Sequence, residues 1–116
     1  LNTDDAEIVL IGYGIVSRVL LDVMEQFRAE GIRAGLIRPI TLYPFPREAI
    51  AKACGKTERF LVVELSNGQM ADDVKLAVNG KRPVHLYTRM GGSVPGVKEI
   101  VEAAKRYMTD DTGRML

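Results

Sequence analysis

The sequence predicts an α/β domain, a three-layer α/β/α sandwich around a mainly parallel sheet of four strands. The first observation is that residues 8–11 are all apolar, which is typical of an interior strand covered on both faces. The second is that such segments alternate with segments whose apolar residues recur at helical spacing. This alternation favours parallel strands joined by right-handed helical crossovers.

The first strand leads into a glycine turn, Gly12-Tyr13-Gly14, and then into an amphipathic helix. The glycines let the backbone leave the strand sharply. The apolar stripe of the helix consists of Val16, Val19, Leu20, Val23, Met24 and Phe27. Gly31 follows and can adopt the left-handed conformation that ends a helix. These three parts form the first half of a βαβ unit, and we expect the strand to be central.

The second unit of the chain is organised around a stiff loop. Residues 32–38 predict the second strand, and the loop at 39–46 contains three prolines, which keep it extended. A short helix over residues 47–54 follows the loop. The third strand, over residues 60–65, is again nearly all apolar.

The last part of the chain repeats the pattern once more. A polar turn at residues 66–69 has the spacing of a capping box, and the helix after it ends at residues 79–80. A fourth strand covers residues 83–88, and a glycine-rich turn covers residues 89–93. The last helix has an apolar side formed by Val97, Ile100, Val101 and Ala104.

We expect one domain over residues 1–108 and a frayed tail over residues 109–116. With the first strand central, the predicted sheet order is 2-1-3-4. Ligands or partners of such sheets meet the carboxyl ends of the strands, where the predicted turns converge. The candidate interface or loop-organising residues of this edge are Gly12, Tyr13, Gly14, Glu64, Ser66, Asn67, Gly68, Gln69, Arg89, Met90, Gly91 and Gly92.

The glycine turn is close to a dinucleotide-binding fingerprint but does not complete it. Ser17 stands where the fingerprint has its third glycine, and Arg38 and Pro39 stand where an acidic residue is expected. We therefore favour a plain structural turn and keep a nucleotide site as the alternative.

Three further polar or reactive side chains have structural interpretations. Glu64 ends a buried strand, and we favour a role in which it organises the following loop with Ser66 and Asn67 over a role in a polar site. His85 alternates with apolar residues on the fourth strand, so we expect a packed imidazole. Cys54 has no histidine partner nearby in sequence, so we expect a packed thiol. The residues thus predict no catalytic, cofactor-binding or metal-binding set.

The overall charge is close to neutral, with 16 basic and 15 acidic residues and a net charge of +1. This balance does not indicate nucleic acid or an anionic membrane as a partner. No apolar run approaches the roughly 20 residues that span a bilayer. The single cysteine can form neither an internal disulfide nor a cysteine-ligated cluster, and it indicates a reducing, cytoplasmic compartment.

Three motifs resemble those of the 2-oxoacid:ferredoxin oxidoreductases. Residues 64–70 read Glu-Leu-Ser-Asn-Gly-Gln-Met and resemble the family's E-x-x-N-G-Q element. Residues 38–46 resemble its loop after the second strand, and residues 89–92 resemble the turn before its last helix. The resemblance is to the C-terminal, transketolase C-terminal-like domain of the alpha subunit, nearest to the 2-ketoisovalerate (branched-chain) enzymes.

The resemblance implies a non-catalytic part of an enzyme that oxidatively decarboxylates a 2-oxoacid to an acyl-CoA with ferredoxin as acceptor. It implies thiamine diphosphate, magnesium and iron–sulfur clusters in the whole enzyme but none in this chain. It also implies coenzyme A, ferredoxin and other subunits or domains as partners. Domains of this type have an extra antiparallel strand before the first parallel one, and residues 1–5 are too short and too acidic to supply it convincingly.

Two other functions stay open from the sequence, a small nucleotide-binding module and the C-terminal domain of another thiamine diphosphate enzyme. That enzyme would be a transketolase or a branched-chain dehydrogenase beta subunit. For the oxidoreductase domain, we expect the carboxyl edge of the sheet to dock another domain or subunit. Tyr13 and Met90 would supply apolar contact there, and Arg89 and Gln69 polar contact.

Overall fold

A computed structural model of the chain describes residues 5–38, 47–64, 69–80, 82–88 and 95–109. In chain order the elements are β1 (Ile8–Gly12), α1 (Ile15–Ala29), β2 (Ala34–Ile37), α2 (Arg47–Ala53), β3 (Arg59–Glu64), α3 (Gln69–Val78), β4 (Val84–Thr88) and α4 (Val97–Thr109). Each of these helices and strands overlaps the segment of the sequence that predicts it. The predicted loop at 39–46 and residues 110–116 of the predicted tail lie outside the described residues.

The four strands form one sheet in the order β2-β1-β3-β4, and every neighbouring pair is parallel. Leu10 in β1 lies opposite Leu36 on one side and Leu61 on the other. This confirms the predicted sheet order and the central position of β1. Within the described residues no strand is antiparallel, and residues 1–4 lie outside them.

Two hydrophobic cores, one on each face of the sheet, make the three predicted layers. Ile8 and Leu10 of β1 point into the core shared with α1 and α4, while Val9 and Ile11 point into the core on the side of α2 and α3. Other members are Phe27, Leu36, Leu61 and Ile100 in the first core, and Ile50, Cys54, Phe60, Val62 and Val74 in the second. Because successive residues of a strand face opposite sides, a strand covered on both must be apolar throughout.

The predicted apolar stripe of α1 packs on the sheet, and the helix ends as Gly31 predicts. Gly31 has a φ of +86°. The amide of Ile32 donates to the carbonyl of Phe27 (2.8 Å), and that of Gly31 donates to Arg28 (3.1 Å). These bonds form a Schellman motif, which satisfies carbonyls at the end of the helix. It directs the chain into β2, which therefore begins later than predicted.

Two individual predictions about side chains are confirmed within the cores. Cys54 is 5% exposed in the α2–α3 core, so its thiol is packed. The imidazole of His85 stacks on the ring of Tyr107, with centroids 4.3 Å apart and planes 8° from parallel. Among the helices of the described residues, none combines the length and the apolar character needed to cross a lipid bilayer.

Replacing Leu10 with alanine is expected to lower the free energy of unfolding by about 2–5 kcal/mol. The side chain of Leu10 is 0% exposed, so its truncation leaves a cavity between the sheet and α1. Chemical denaturation measures this change. The control is Ile15→Ala, at a residue that is 58% exposed. A loss below about 1 kcal/mol for Leu10→Ala would contradict the central role of β1.

Candidate functional site

The candidate site lies at the carboxyl edge of the sheet, where all four parallel strands end. Gly12, the last residue of β1, lies opposite Val63, and Glu64, the last residue of β3, lies opposite Thr88. The structure therefore brings the predicted residues Gly12 and Glu64 to the same edge, one residue apart in register.

Several predicted members of the site are not described by the structure. Seven of the predicted residues lie outside the described residues and stay predictions: Ser66, Asn67, Gly68, Arg89, Met90, Gly91 and Gly92. Gln69 is described and is the first residue of α3. The predicted capping box between Ser66 and Gln69 stays a prediction for the same reason.

Gly12 allows α1 to approach β1 closely. A Cβ atom at this position would lie 2.4 Å from Cδ1 of Leu20 and 3.0 Å from Cγ1 of Val16. The side chains of Leu20 and Val16 are both buried on α1. The absence of a side chain at Gly12 therefore sets the distance between the helix and the strand that it follows.

Gly14 makes the turn from β1 into α1. Its φ of 66° and ψ of −137° lie in a region that only glycine adopts readily. Its carbonyl accepts two hydrogen bonds from Ser17, one from the backbone amide (3.0 Å) and one from the hydroxyl (2.6 Å). Ser17, which replaces the third glycine of the nucleotide fingerprint, thus stabilises the turn itself. This geometry supports the interpretation of a structural turn.

Two large apolar side chains flank Gly14 and are exposed. Tyr13 is 42% exposed and Ile15 is 58% exposed, although both lie beside the buried start of α1. Tyr13 is among the residues predicted from the sequence, whereas Ile15 is not. The available signal was that Ile15 is a large apolar residue outside the buried stripe of its helix. Together, Tyr13, Gly14 and Ile15 form the described part of what we call the carboxyl rim.

Glu64 is only 7% exposed at the end of β3. By the alternation of the strand it shares the face of Phe60 and Val62, the side of the α2–α3 core. A buried carboxylate requires hydrogen-bond partners. The predicted role of Glu64 in organising the following loop stays a prediction, because residues 65–68 lie outside the described residues.

Arg38 and His85, two other polar residues noted in the sequence, do not form a cluster at this edge. Arg38, which follows β2, is exposed. His85 is held in the sheet by its stacking on Tyr107. Across the part of the chain that the structure describes, no three His, Cys, Asp or Glu side chains lie close enough together to hold a metal ion.

Comparison with known proteins identifies the family. Residues 6–100 match the family described as pyruvate:ferredoxin oxidoreductase core domain II. The chain belongs to the 2-oxoacid:ferredoxin oxidoreductase family. This confirms the resemblance that the three motifs indicate, and it separates the chain from the transketolases and dehydrogenases considered as alternatives.

Two of the proteins that the chain resembles are oxidoreductase subunits from Methanothermobacter species. The chain is 45% identical over 109 residues to the ketoisovalerate oxidoreductase subunit VorB of Methanothermobacter thermautotrophicus, covering 94% of this chain and 31% of that protein. It is 38% identical over 99 residues to the 2-oxoglutarate synthase subunit KorA of Methanothermobacter marburgensis, covering 85% of this chain and 26% of that protein. The chain thus spans less than a third of the length of these relatives.

Solved structures confirm the fold of the oxidoreductase domain. The 2-oxoglutarate:ferredoxin oxidoreductase from Magnetococcus marinus, solved with 2-oxoglutarate, coenzyme A and succinyl-CoA bound, has a TM-score of 0.79 at 23% identity. The match covers 90% of this chain and 18% of that one. A split-gene transketolase, an inactive beta4 tetramer, has a TM-score of 0.74 at 17% identity, over 91% of this chain and 39% of that one. The predicted transketolase-like fold is therefore correct.

Replacing Gly14 with alanine should lower the free energy of unfolding by about 1–3 kcal/mol, solely through backbone strain. A Cβ atom there would meet nothing within 4 Å, so no clash contributes. Thermal and chemical unfolding measure the effect. The matched control is Gly55→Ala, where the nearest atom would lie 3.7 Å away and φ is not positive. Equal stability of the two variants would show that the turn at Gly14 is not under this constraint.

Proposed function

We propose that the chain is a non-catalytic domain of the alpha subunit of a 2-oxoacid:ferredoxin oxidoreductase whose substrate is 2-ketoisovalerate. The whole enzyme would decarboxylate and oxidise the 2-oxoacid, transfer the acyl group to coenzyme A and pass the electrons to ferredoxin. The observation that carries this proposal is the 45% identity over 109 residues to a ketoisovalerate oxidoreductase subunit. The identity to the 2-oxoglutarate subunit is lower, at 38%.

The iron–sulfur clusters that such an enzyme uses do not fit the residues of this chain. An iron–sulfur cluster takes four cysteine ligands as a rule, whereas this chain has one cysteine, and Cys54 is buried in the α2–α3 core. The described residues also offer no carboxylate or histidine cluster for a magnesium ion. We therefore assign the iron–sulfur clusters to other domains or subunits, we propose the same location for thiamine diphosphate and magnesium, and we derive no chemical step in this chain.

The role that we propose for this domain is to pack against another domain or subunit of the same enzyme through the carboxyl rim. Two exposed apolar side chains, Tyr13 and Ile15, support this proposal. Tyrosine is enriched at protein interfaces, and apolar side chains surrounded by polar ones are typical of them. In the part that the structure does not describe, we expect Met90 to add apolar contact and Arg89 polar contact.

The activity is tested on the chain alone and on the complete enzyme. The complete enzyme is expected to reduce a dye acceptor with coenzyme A and 2-ketoisovalerate, with a higher kcat/KM than with 2-oxoglutarate or pyruvate. The purified 116-residue chain is expected to show no turnover with any of the three. Turnover by the purified chain would disprove the non-catalytic role, and a preference for 2-oxoglutarate or pyruvate would disprove the substrate assignment.

Changing Ile15 to glutamate should weaken assembly of the enzyme by about tenfold, because a charge would then be buried in the interface. The domain should stay folded, since Ile15 is exposed and an acidic residue in the first turn of a helix is favourable. Co-purification and sedimentation of the complete enzyme measure assembly. The matched control is Leu76→Glu on α3, where a similarly exposed leucine (67%) lies away from the rim. Undiminished assembly of the Ile15 variant would rule out the rim as the docking surface.

A further inference from the structure

We propose that a basic patch at the amino edge of the sheet, where the parallel strands begin, binds an acidic segment of another domain or subunit of the same enzyme. The patch is formed by Lys52 of α2, Lys75 of α3 and Arg82, which precedes β4. Because the partner is taken from the same enzyme, this inference rests on the proposed function. The patch lies at the opposite end of the strands from the carboxyl rim, so both surfaces can be occupied at once.

The parallel topology brings the three cationic side chains to one place. The helices α2 and α3 pack on the same face of the sheet, and each ends where the chain returns to the start of the next strand. Lys52 lies in the last turn of α2, and Lys75 lies in the last turn of α3. Arg82 lies two residues before Val84, the first residue of β4. Two helix ends and the start of a strand therefore meet in this patch.

Two adjacent depressions in the surface contain these side chains. One has a volume of about 410 Å³ and is lined by Ala51, Lys52, Cys54, Gly55 and Arg82. The other has a volume of about 290 Å³ and is lined by Lys75, Val78, Gly80, Arg82 and Val84. Each depression thus has its own lysine and shares Arg82 with the other. None of the described residues that line them is acidic.

Arg82 is attached to the domain through the loop before β3. Its Nε donates to the carbonyl of Thr57 at 2.7 Å. Thr57 is itself 0% exposed, and its hydroxyl donates to the carbonyl of Ala6 at 3.2 Å. Arg82 is nevertheless exposed to solvent. The hydrogen bond to Thr57 therefore keeps the positive charge of Arg82 at the boundary between the two depressions.

The charge of the patch is not cancelled within the described residues. Neither Lys52 nor Lys75 forms an ion pair with a carboxylate of this part of the chain, and both are exposed. A helix carboxyl end carries about half a negative charge, so the ends of α2 and α3 together offset about one of the three positive charges. Lys56 and Glu58, both exposed after α2, add one charge of each sign. The patch therefore stays positive.

The shape of the patch favours a polypeptide segment over a small molecule. Pockets for small molecules enclose about 70–90% of the surface of the ligand. In these two depressions most of the lining residues are exposed: Ala51, Lys52, Gly55, Lys75, Gly80 and Arg82. An extended segment with two acidic side chains can cross both depressions and place one carboxylate beside each lysine.

An acidic segment is the partner that complements this charge, because positive surfaces meet negative ones across protein interfaces. Nucleic acid is also anionic, but the chain as a whole has a net charge of only +1 and lacks the broad basic surface that binds it. The matched region makes up 31% and 26% of the two Methanothermobacter relatives. Most of such a subunit therefore lies outside this domain and can supply the segment.

Zero-length cross-linking of the complete enzyme with a water-soluble carbodiimide tests the contact directly. The reagent activates a carboxyl group, and a lysine amine in contact with that group displaces the activating group and forms an amide bond. We expect peptide mass spectrometry to find Lys52 or Lys75 joined to Asp or Glu residues outside these 116 residues. The matched control is Lys98 on α4, an exposed lysine on the opposite face of the sheet, which should form no such bond.

Two substitutions of Lys75 separate the effect of charge from that of position. Lys75→Arg keeps the positive charge, so the yield of the Lys52 cross-link should equal that of the unchanged enzyme. Lys75→Glu places a negative charge beside the acidic segment and should lower that yield by about fivefold or more. Because Lys75 is exposed, both variants should keep the native fold, which circular dichroism verifies.

Three results would overturn the proposal: Lys52 and Lys75 joined only to carboxylates of this chain or to none, equal cross-linking of Lys98, or an unchanged Lys52 yield in the Lys75→Glu enzyme. None of these results depends on which 2-oxoacid the enzyme uses or on the assembly of the Ile15→Glu variant. A failure at the basic patch is therefore distinguishable from a failure of the proposed function.

Discussion

The burial of β1 on both faces is the constraint on which the rest of the domain depends. All five residues of β1 are buried, and the strand pairs with β2 on one side and with β3 on the other. Leu10 and Val9 contribute to opposite cores, so each helical layer packs against the same strand. Because the strand ends at Gly12, where a side chain would collide with Leu20, α1 can lie directly on the sheet that it follows.

The carboxyl rim is a consequence of this arrangement. Parallel strands joined by helical crossovers all end on one edge, and the chain has to leave that edge through turns. At the first turn, the backbone of Gly14 is stabilised by Ser17, while the side chains on either side, Tyr13 and Ile15, project outward. Local hydrogen bonds thus stabilise the turn, and its two flanking side chains are exposed, in keeping with the proposed docking role.

Much of the fold could be predicted from the sequence because local patterns determine it. The apolar runs of β1 and β3 and the apolar stripe of α1 predict which residues are buried, and Gly31 predicts the end of α1 through its left-handed conformation. The spacing of Ser17 marked it as a departure from the nucleotide fingerprint, but only the structure shows that its hydroxyl turns back to Gly14.

The contacts that could not be predicted join residues far apart in sequence. Tyr107 reaches Leu86 across 21 positions, and Arg28 pairs with Asp5 across 23. Such contacts depend on strand register and on the angle at which each helix crosses the sheet, and neither leaves a periodic signal in the sequence. The exposure of Ile15 was missed for a related reason, since helical periodicity reports which side is buried but not how far the first turn projects beyond the strand ends.

Side-chain contacts such as that of Tyr107 with Leu86 bear on how this domain can be combined with others during evolution. Side-chain contacts of this kind can be exchanged one residue at a time without loss of the backbone pairing that joins the four described strands. Matching domains make up 31% of one relative and 18% of another structure, so they occur within polypeptides of different length. The same backbone persists at 23% identity. A domain with this fold can therefore be joined to different neighbouring domains while its backbone is kept.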